Sequence, residues 1–189
     1  MVHETQLILN WMWGALGVYW LWNAPRSGSS VTREAAWWRL MRLSILALTF
    51  VLLLSPWLRM GWLGRRFVLD TEVGRTVGLV MTALAILLCV WARVHLGKYW
   101  SDKVVLKVDH RLIRSGPYRF LRHPIYSGVL LGILGTALAV GELRGILALV
   151  VMSANYFVKA RREERVLAGQ FGEEFAEYTR RAGFLVPRW

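Results

Sequence analysis

The chain has 189 residues, 56% of them hydrophobic and only 19% charged, with 11 tryptophans and a formal net charge of +12. That composition excludes an ordinary soluble domain and fits a single membrane-embedded one. So much positive charge in a soluble protein would point to nucleic acid; beside apolar spans it points to cytoplasmic loops and anionic headgroups, and no nucleic-acid partner is expected. Cys89 is the one cysteine, so no internal disulfide can form.

Charge-free intervals mark five spans: residues 5–25, 43–58, 76–92, 123–141 and 145–158. A spanning helix needs about 20 residues, and about 17 are tolerated. The fifth interval is short, but Arg144 and Lys159 at its ends can snorkel outward and lengthen it. The runs are continuous rather than alternating, so no sheet is expected. The expected fold is all-α: a polytopic membrane protein with five transmembrane helices and a C-terminal cytoplasmic helix. It forms one integral membrane domain, 1–189. Residues 1–92 hold three spans; residues 93–189 hold a loop, a helical hairpin turning at Gly141-Glu142, and the final helix. The leader before the first span has an acid, Glu4, and no Lys or Arg, so this span is expected to remain as a helix rather than act as a signal peptide.

Charge sets the orientation. Segments 23–42, 93–123 and 159–189 carry four, eight and seven Lys or Arg; segment 59–75 carries four and the 141–144 turn one. The positive-inside rule then puts the N-terminus outside and the C-terminus in the cytoplasm. Trp20, Trp22, Trp37, Trp38, Trp57, Trp62, Trp91 and Trp100 fall near span ends, where indoles favour the interface. The loop 93–123 and the tail 159–189 thus share the cytoplasmic face, tied together by the hairpin. In the tail, Leu167, Phe171, Phe175 and Tyr178 make one apolar helical stripe. Gly169 and Gly172 weaken its middle, and Glu173-Glu174 suit a fresh helix start.

Four short stretches could carry chemistry or packing. In Arg122-His123-Pro124-Ile125-Tyr126, Pro124 suits the first turn of a helix, with His123 near the N-cap and Tyr126 on the same face. The partial positive charge of that helix end attracts anions, and Arg122 adds to it. By itself the stretch reads equally as an interfacial helix start. Gly116-Pro117-Tyr118 is a turn signal, or simply a loop corner. Glu163-Glu164, flanked by Arg161, Arg162 and Arg165, can accept bonds from a ribose diol or a substrate donor, or merely pair with those arginines. Gly128, Gly132 and Gly135 permit close helix packing. No dinucleotide-binding Gly motif, Walker loop or Ser-His-acid set is present. The histidines, His3, His95, His110 and His123, lack metal-ligand spacing, so no metal site is expected.

The joint pattern is more specific than its parts. Gly116-Pro117-Tyr118, then Arg122-His123-Pro124-Ile125-Tyr126-Ser127-Gly128, a hairpin, Glu163-Glu164, and Phe171-Gly172 with Phe175 and Tyr178 resembles the isoprenylcysteine carboxyl methyltransferase and phospholipid methyltransferase family, over roughly residues 95–180. The resemblance implies an integral membrane methyltransferase using S-adenosyl-L-methionine. It places His110, Arg111, Leu112 and Ile113 along one side of the cofactor. Tyr118 and the turn His123, Pro124, Ile125, Tyr126 hold its amino-acid end, and Glu163 and Glu164 face it from beyond the hairpin. Arg122, Lys159 and Glu163 are the residues expected at the chemistry. The family often has arginine where this chain has Lys159, which keeps the charge but loses the bidentate fork for a carboxylate; Arg161 or Arg162 could substitute. The implied acceptor is a lipid or a lipidated small molecule or peptide drawn from the membrane lipids, with carboxyl O-methylation favoured. No obligate protein partner is evident. The competing readings are an NADPH-dependent membrane reductase of sterol-reductase-like architecture and a non-catalytic lipid-binding protein.

Overall fold

A computed structural model of the chain describes residues 2–23, 36–97 and 112–188. These form five α-helices: α1 (Val2–Asn23), α2 (Ala36–Leu54), α3 (Glu72–Leu96), α4 (Pro124–Val140) and α5 (Leu143–Arg181). Among the described residues there is no strand, only isolated bridges pairing Arg66 with Glu142 and Leu121 with Gly183. Three helices, α2, α3 and α5, are long and apolar enough to cross a membrane, and α4 is a shorter apolar helix.

Helices α2 and α3 outrun the charge-free intervals because charged residues sit on their end turns rather than outside them. α2 begins at Ala36, ahead of Arg39 and Arg42. α3 begins with Thr71 as N-cap, whose hydroxyl accepts the Gly74 N–H at 3.1 Å. The largest departure is α5. The fifth span and the tail helix are one element, unbroken until Gly172, where φ of 48° and ψ of −119° kink it before Glu173-Glu174. Gly141 ends α4 in the left-handed conformation (φ 74°), which makes the two-residue turn into α5 possible.

α3 and α4 are the most closely packed pair, and their glycines explain why. A Cβ on Gly78 would lie 2.5 Å from the Ala139 nitrogen and the Gly135 oxygen, and one on Gly128 would lie 2.5 Å from Cys89 Sγ. The Gly128, Gly132, Gly135 stripe is therefore packing surface. A polar clamp adds to it: Trp13 Nε1 donates to Thr136 Oγ1 at 3.0 Å, and the Thr136 and Thr82 hydroxyls are 3.3 Å apart. The main core joins all five helices through Trp13 and Leu16, Leu52 and Leu53, Cys89, Val129 and Ile133, and Ala148 and Met152.

The end of the bundle at the hairpin turn carries a buried ion cluster. Arg144 is 0% exposed; its Nε donates to Glu142 Oε2 at 2.5 Å and its Nη1 to the Leu52 carbonyl at 3.1 Å and the Ser55 carbonyl. Arg59 reaches the other Glu142 oxygen at 3.2 Å. A buried guanidinium needs such compensation, and here it locks the start of α5 to the end of α2.

Candidate functional site

At the opposite end, the loop before α4, the first turn of α4 and the middle of α5 converge. Gly116 takes φ of 58° and opens a short 3-10 turn, Gly116–Arg119, as the Gly-Pro signal predicts. His123 is the N-cap of α4 and Pro124 its first residue. Counting down α5 from the hairpin brings Lys159, Glu163 and Glu164 level with that turn.

His123, 7% exposed, lies between two carboxylates. Its Nδ1 is 3.6 Å from Glu163 Oε2 and its Nε2 3.3 Å from Glu164 Oε1. The two acids are differently engaged. Glu164 Oε1 also accepts from Arg122 Nε at 2.6 Å, and Glu164 Oε2 lies 3.7 Å from Arg161. Burial pushes the Glu164 carboxyl up, but hydrogen bonds from His123 and Arg122 and the Arg122 charge outweigh this and hold it below the usual range. Glu163 accepts the Tyr126 hydroxyl at 2.6 Å and lies 3.9 Å from Lys159 Nζ. Its side chain keeps 21% exposure against 11% for Glu164. Glu164 is thus the knot of a strut, and Glu163 is the acid with an open side.

The rings form a ladder. Tyr156 stacks on Tyr126 (4.5 Å), Tyr126 on His123 (5.4 Å, 6° between planes), and Phe184 meets His123 edge-on (5.3 Å, 79°). Lys159 Nζ sits 5.2 Å from the centre of the Tyr126 ring.

The remaining candidates divide clearly. His110 and Arg111 lie outside the described residues. Leu112 packs on the buried tail cluster of Phe175, Tyr178 and Ala182, together with Leu167 and Phe171, which is the apolar stripe read from the sequence. Ile113 is half-buried beside it. Tyr118 is buried with its hydroxyl 3.5 Å from the Ala92 carbonyl, so its phenol braces the loop against α3. Tyr178 clasps the same loop, donating to the Tyr118 carbonyl at 2.7 Å; burial pushes both phenols up. Pro124 is fully buried, and the Ile125 carbonyl accepts from Cys89 Sγ at 3.5 Å. Arg122 donates through Nη1 to the Ala182 and Thr179 carbonyls, tying the end of α5 to the start of α4. Arg162 lies flat over Trp38, 3.4 Å from the ring centre, and Arg161 over Phe184 at 4.8 Å. Lys159 is therefore the cation aimed at Glu163 and Tyr126.

Sequence reasoning missed two members. Tyr156 shares a helix face with Lys159 and Glu163 at spacings of three and four, a signal that was there to find. Phe184 follows the last helix and carries no pattern in the sequence.

The architecture is that of an integral membrane methyltransferase fold. It matches the solved eukaryotic intramembrane Ras methyltransferase, isoprenylcysteine carboxyl methyltransferase, with a TM-score of 0.51 and 22% identity over 83% of this chain and 54% of that one. A model of the phospholipid methyltransferase family matches residues 73–174, and the chain belongs to that family. Among curated relatives, the cobalt-zinc-cadmium resistance protein CzcN of Cupriavidus metallidurans is 34% identical over 115 residues, 60% of this chain and 49% of its own length. Protein-S-isoprenylcysteine O-methyltransferase B of Arabidopsis thaliana is 29% identical over 113 residues, 58% of this chain and 57% of its own. The chain thus spans about half the length of these relatives. Among the described residues, no group of three or more His, Cys, Asp or Glu is placed to hold a metal ion.

Proposed function

We propose that the chain is an S-adenosyl-L-methionine-dependent methyltransferase acting on a lipid-linked acceptor, with carboxyl O-methylation of a prenylated cysteine favoured. Five helices span the bilayer, the N-terminus lies outside, and the site faces the cytoplasm. The observation that carries this reading is the convergence of His123 and Tyr126 from α4 with Lys159 and Glu163 from α5. Family membership and the names of the relatives support it.

The donor set suits the cofactor. Glu163 is an acid with an open side, fit to accept from an ammonium or a ribose hydroxyl. The first turn of α4 favours a carboxylate. When bound, the cofactor supplies an electrophilic methyl group. The chain's own residues position and desolvate the acceptor. A carboxylate acceptor is already nucleophilic, so it needs a cation to orient it rather than a base; Lys159 fills that role. Glu163 and Tyr126 hold the Lys159 ammonium in place. An amine acceptor would instead need its proton removed, and Glu163 is the base within reach.

The test is ligand-dependent thermal stability in detergent. S-adenosylhomocysteine is expected to raise the melting temperature while NADPH does not. Stabilisation by NADPH alone would replace this reading with the reductase. Methyl-labelled cofactor with total membrane lipid and prenylated cysteine then identifies the product.

A further inference from the structure

The hairpin-turn end of the bundle holds a second concentration of charge. The loop from α2 to α3 is sewn onto that turn. The Phe67 N–H donates to the Gly141 carbonyl at 2.9 Å, the Leu143 N–H to the Arg65 carbonyl at 2.9 Å, and the Arg144 N–H to the Leu63 carbonyl at 3.1 Å. Between this loop and the helices lies a crevice of about 10 Å³, room for a group the size of one water. Thr5 and Gln6 of α1, Arg59, Arg66 and Asp70 of the loop, and Arg75 of α3 line it, together with the last turn of α4.

Positive charge is in excess there. Asp70 Oδ1 is shared between Arg75 and Arg66, whose Nη2 is 3.4 Å away. Arg59 is held by Glu142 at 3.2 Å and by the Gln6 amide oxygen at 3.4 Å, and Glu142 is also the partner of Arg144. Four guanidinium groups thus share two carboxylates. Arg144 Nη2, buried, has no hydrogen-bond partner among the described residues. Such a cluster favours a further anion. The loop itself indicates which kind. Trp57 is 80% exposed, Trp62 58% and Leu69 82%, all in the stretch that supplies Arg59, Arg66 and Asp70. Exposed indoles and apolar side chains beside guanidinium groups, at the end of a membrane-spanning bundle, suit the headgroup level of a bilayer. A phospholipid brings a phosphate to that level and acyl chains to the tryptophans. A headgroup of net negative charge matches the excess of guanidinium groups; a zwitterionic one does not.

We propose that this crevice and its loop bind the phosphodiester of an anionic phospholipid headgroup. Arg59 and Arg66 take the phosphate, with one oxygen entering the crevice, and Trp57 and Trp62 lie against the apolar part of the lipid. The site is at the other end of the bundle from His123 and Glu163, about 30 Å away along α5. The lipid here is therefore a bound ligand and not the methyl acceptor, and the proposal stands apart from the methyltransferase reading.

The test is a titration of the full-length protein in neutral detergent with dioleoylphosphatidylglycerol, dioleoylphosphatidylcholine or inorganic phosphate, followed by melting temperature. Phosphatidylglycerol is expected to raise the Tm saturably, and phosphatidylcholine at the same concentration to leave it unchanged. An equal rise with phosphatidylcholine, or no rise with either lipid, overturns the proposal. An equal rise with inorganic phosphate overturns the headgroup assignment and makes the crevice a small-anion site. Three variants locate the effect. Arg66→Gln is expected to weaken the apparent phosphatidylglycerol affinity about fivefold, the scale of one lost basic contact. Asp70→Asn removes the acid that competes for Arg66 and Arg75, and is expected to strengthen that affinity even where it lowers the starting Tm. Arg180→Gln, on the exposed last turn of α5, is expected to match wild type. Equal weakening by Arg66→Gln and Arg180→Gln would trace the binding to the overall charge of +12 and sink the site. Unchanged affinity in both Arg66→Gln and Asp70→Asn would reduce the cluster to a structural ion network.

Discussion

Arg122 and Glu164 are 42 residues apart in sequence and 2.6 Å apart in space. The pair joins the loop before α4 to the middle of α5, and the same guanidinium caps the end of α5 through the Thr179 and Ala182 carbonyls. Both side chains are about one-tenth exposed. Arg122→Ala is expected to cost on the order of 2–3 kcal/mol, because it leaves Glu164 half-satisfied and two carbonyls bare. Arg122→Lys should recover little, since one ammonium cannot reach all three partners. Thermal unfolding in detergent measures both; wild-type stability in the alanine variant would remove Arg122 from this role.

The lowered pKa of Glu164 fixes the sign of a pH effect. In the folded state the carboxyl is held below its ordinary value of 4.5. The stability it contributes is therefore fully present above about pH 4.5 and disappears as pH falls through the lower folded-state value. Glu164→Gln should melt below wild type at pH 7, and the gap should close as the pH is taken below 4.5. A gap that stays constant with pH would show that the carboxylate charge is not what matters.

Glu163 should behave in the opposite way. Its partners are Tyr126, His123 and Lys159, and it retains an open side. Glu163→Gln is expected to leave the melting temperature of the unliganded protein within a few degrees of wild type and to reduce the S-adenosylhomocysteine shift. His123→Ala, which removes the group between both acids, should lower stability and ligand shift together.

Lys159→Ala should separate binding from turnover. The ammonium faces Glu163 and the Tyr126 ring, so cofactor stabilisation is expected to survive while methyl transfer falls at least tenfold. Lys159→Arg should keep part of the rate on a carboxylate acceptor. An unchanged rate in the alanine variant would pass the orienting role elsewhere.

The α3–α4 contact predicts a pair of opposite glycine effects. Gly78→Ala pushes a methyl group to 2.5 Å from backbone atoms of α4 that cannot move aside, and should cost about 1–3 kcal/mol. Gly169→Ala meets nothing within 4 Å on an exposed turn of α5 and should stabilise by about 0.5–1 kcal/mol. Chemical or thermal unfolding of the two variants side by side reads the difference.

The hairpin, its Gly141 turn and the meeting of His123 with Glu163 and Glu164 were legible in the sequence because each rests on local rules: proline at a helix start, glycine at its end, and charge fixing which segments share a face. The continuity of α5 was not. The fifth charge-free interval ends at Lys159, whereas charged side chains on a helix can project past the apolar slab while the backbone runs on. The roles of the arginines were equally hidden. Whether Arg122 meets a substrate or a carbonyl depends on where Ala182 returns, a contact spanning 60 residues. Phe184 had no periodicity to betray it, for it sits in irregular chain whose path is set by three hydrogen bonds to residues 120–127.

Arg144 and Glu164 lie on one unkinked helix, twenty residues apart in the numbering. At 1.5 Å per residue that is about 30 Å, the thickness of a bilayer's hydrocarbon core. Each end is pinned by charges that do not slide: Arg144 to Glu142 and the end of α2, Glu164 to Arg122 and His123. α5 is in effect a fixed ruler laid across the membrane. A bilayer thinner or thicker than that ruler must tilt the whole bundle or deform around it, since the distance between its two charged marks cannot change without unpairing one of them.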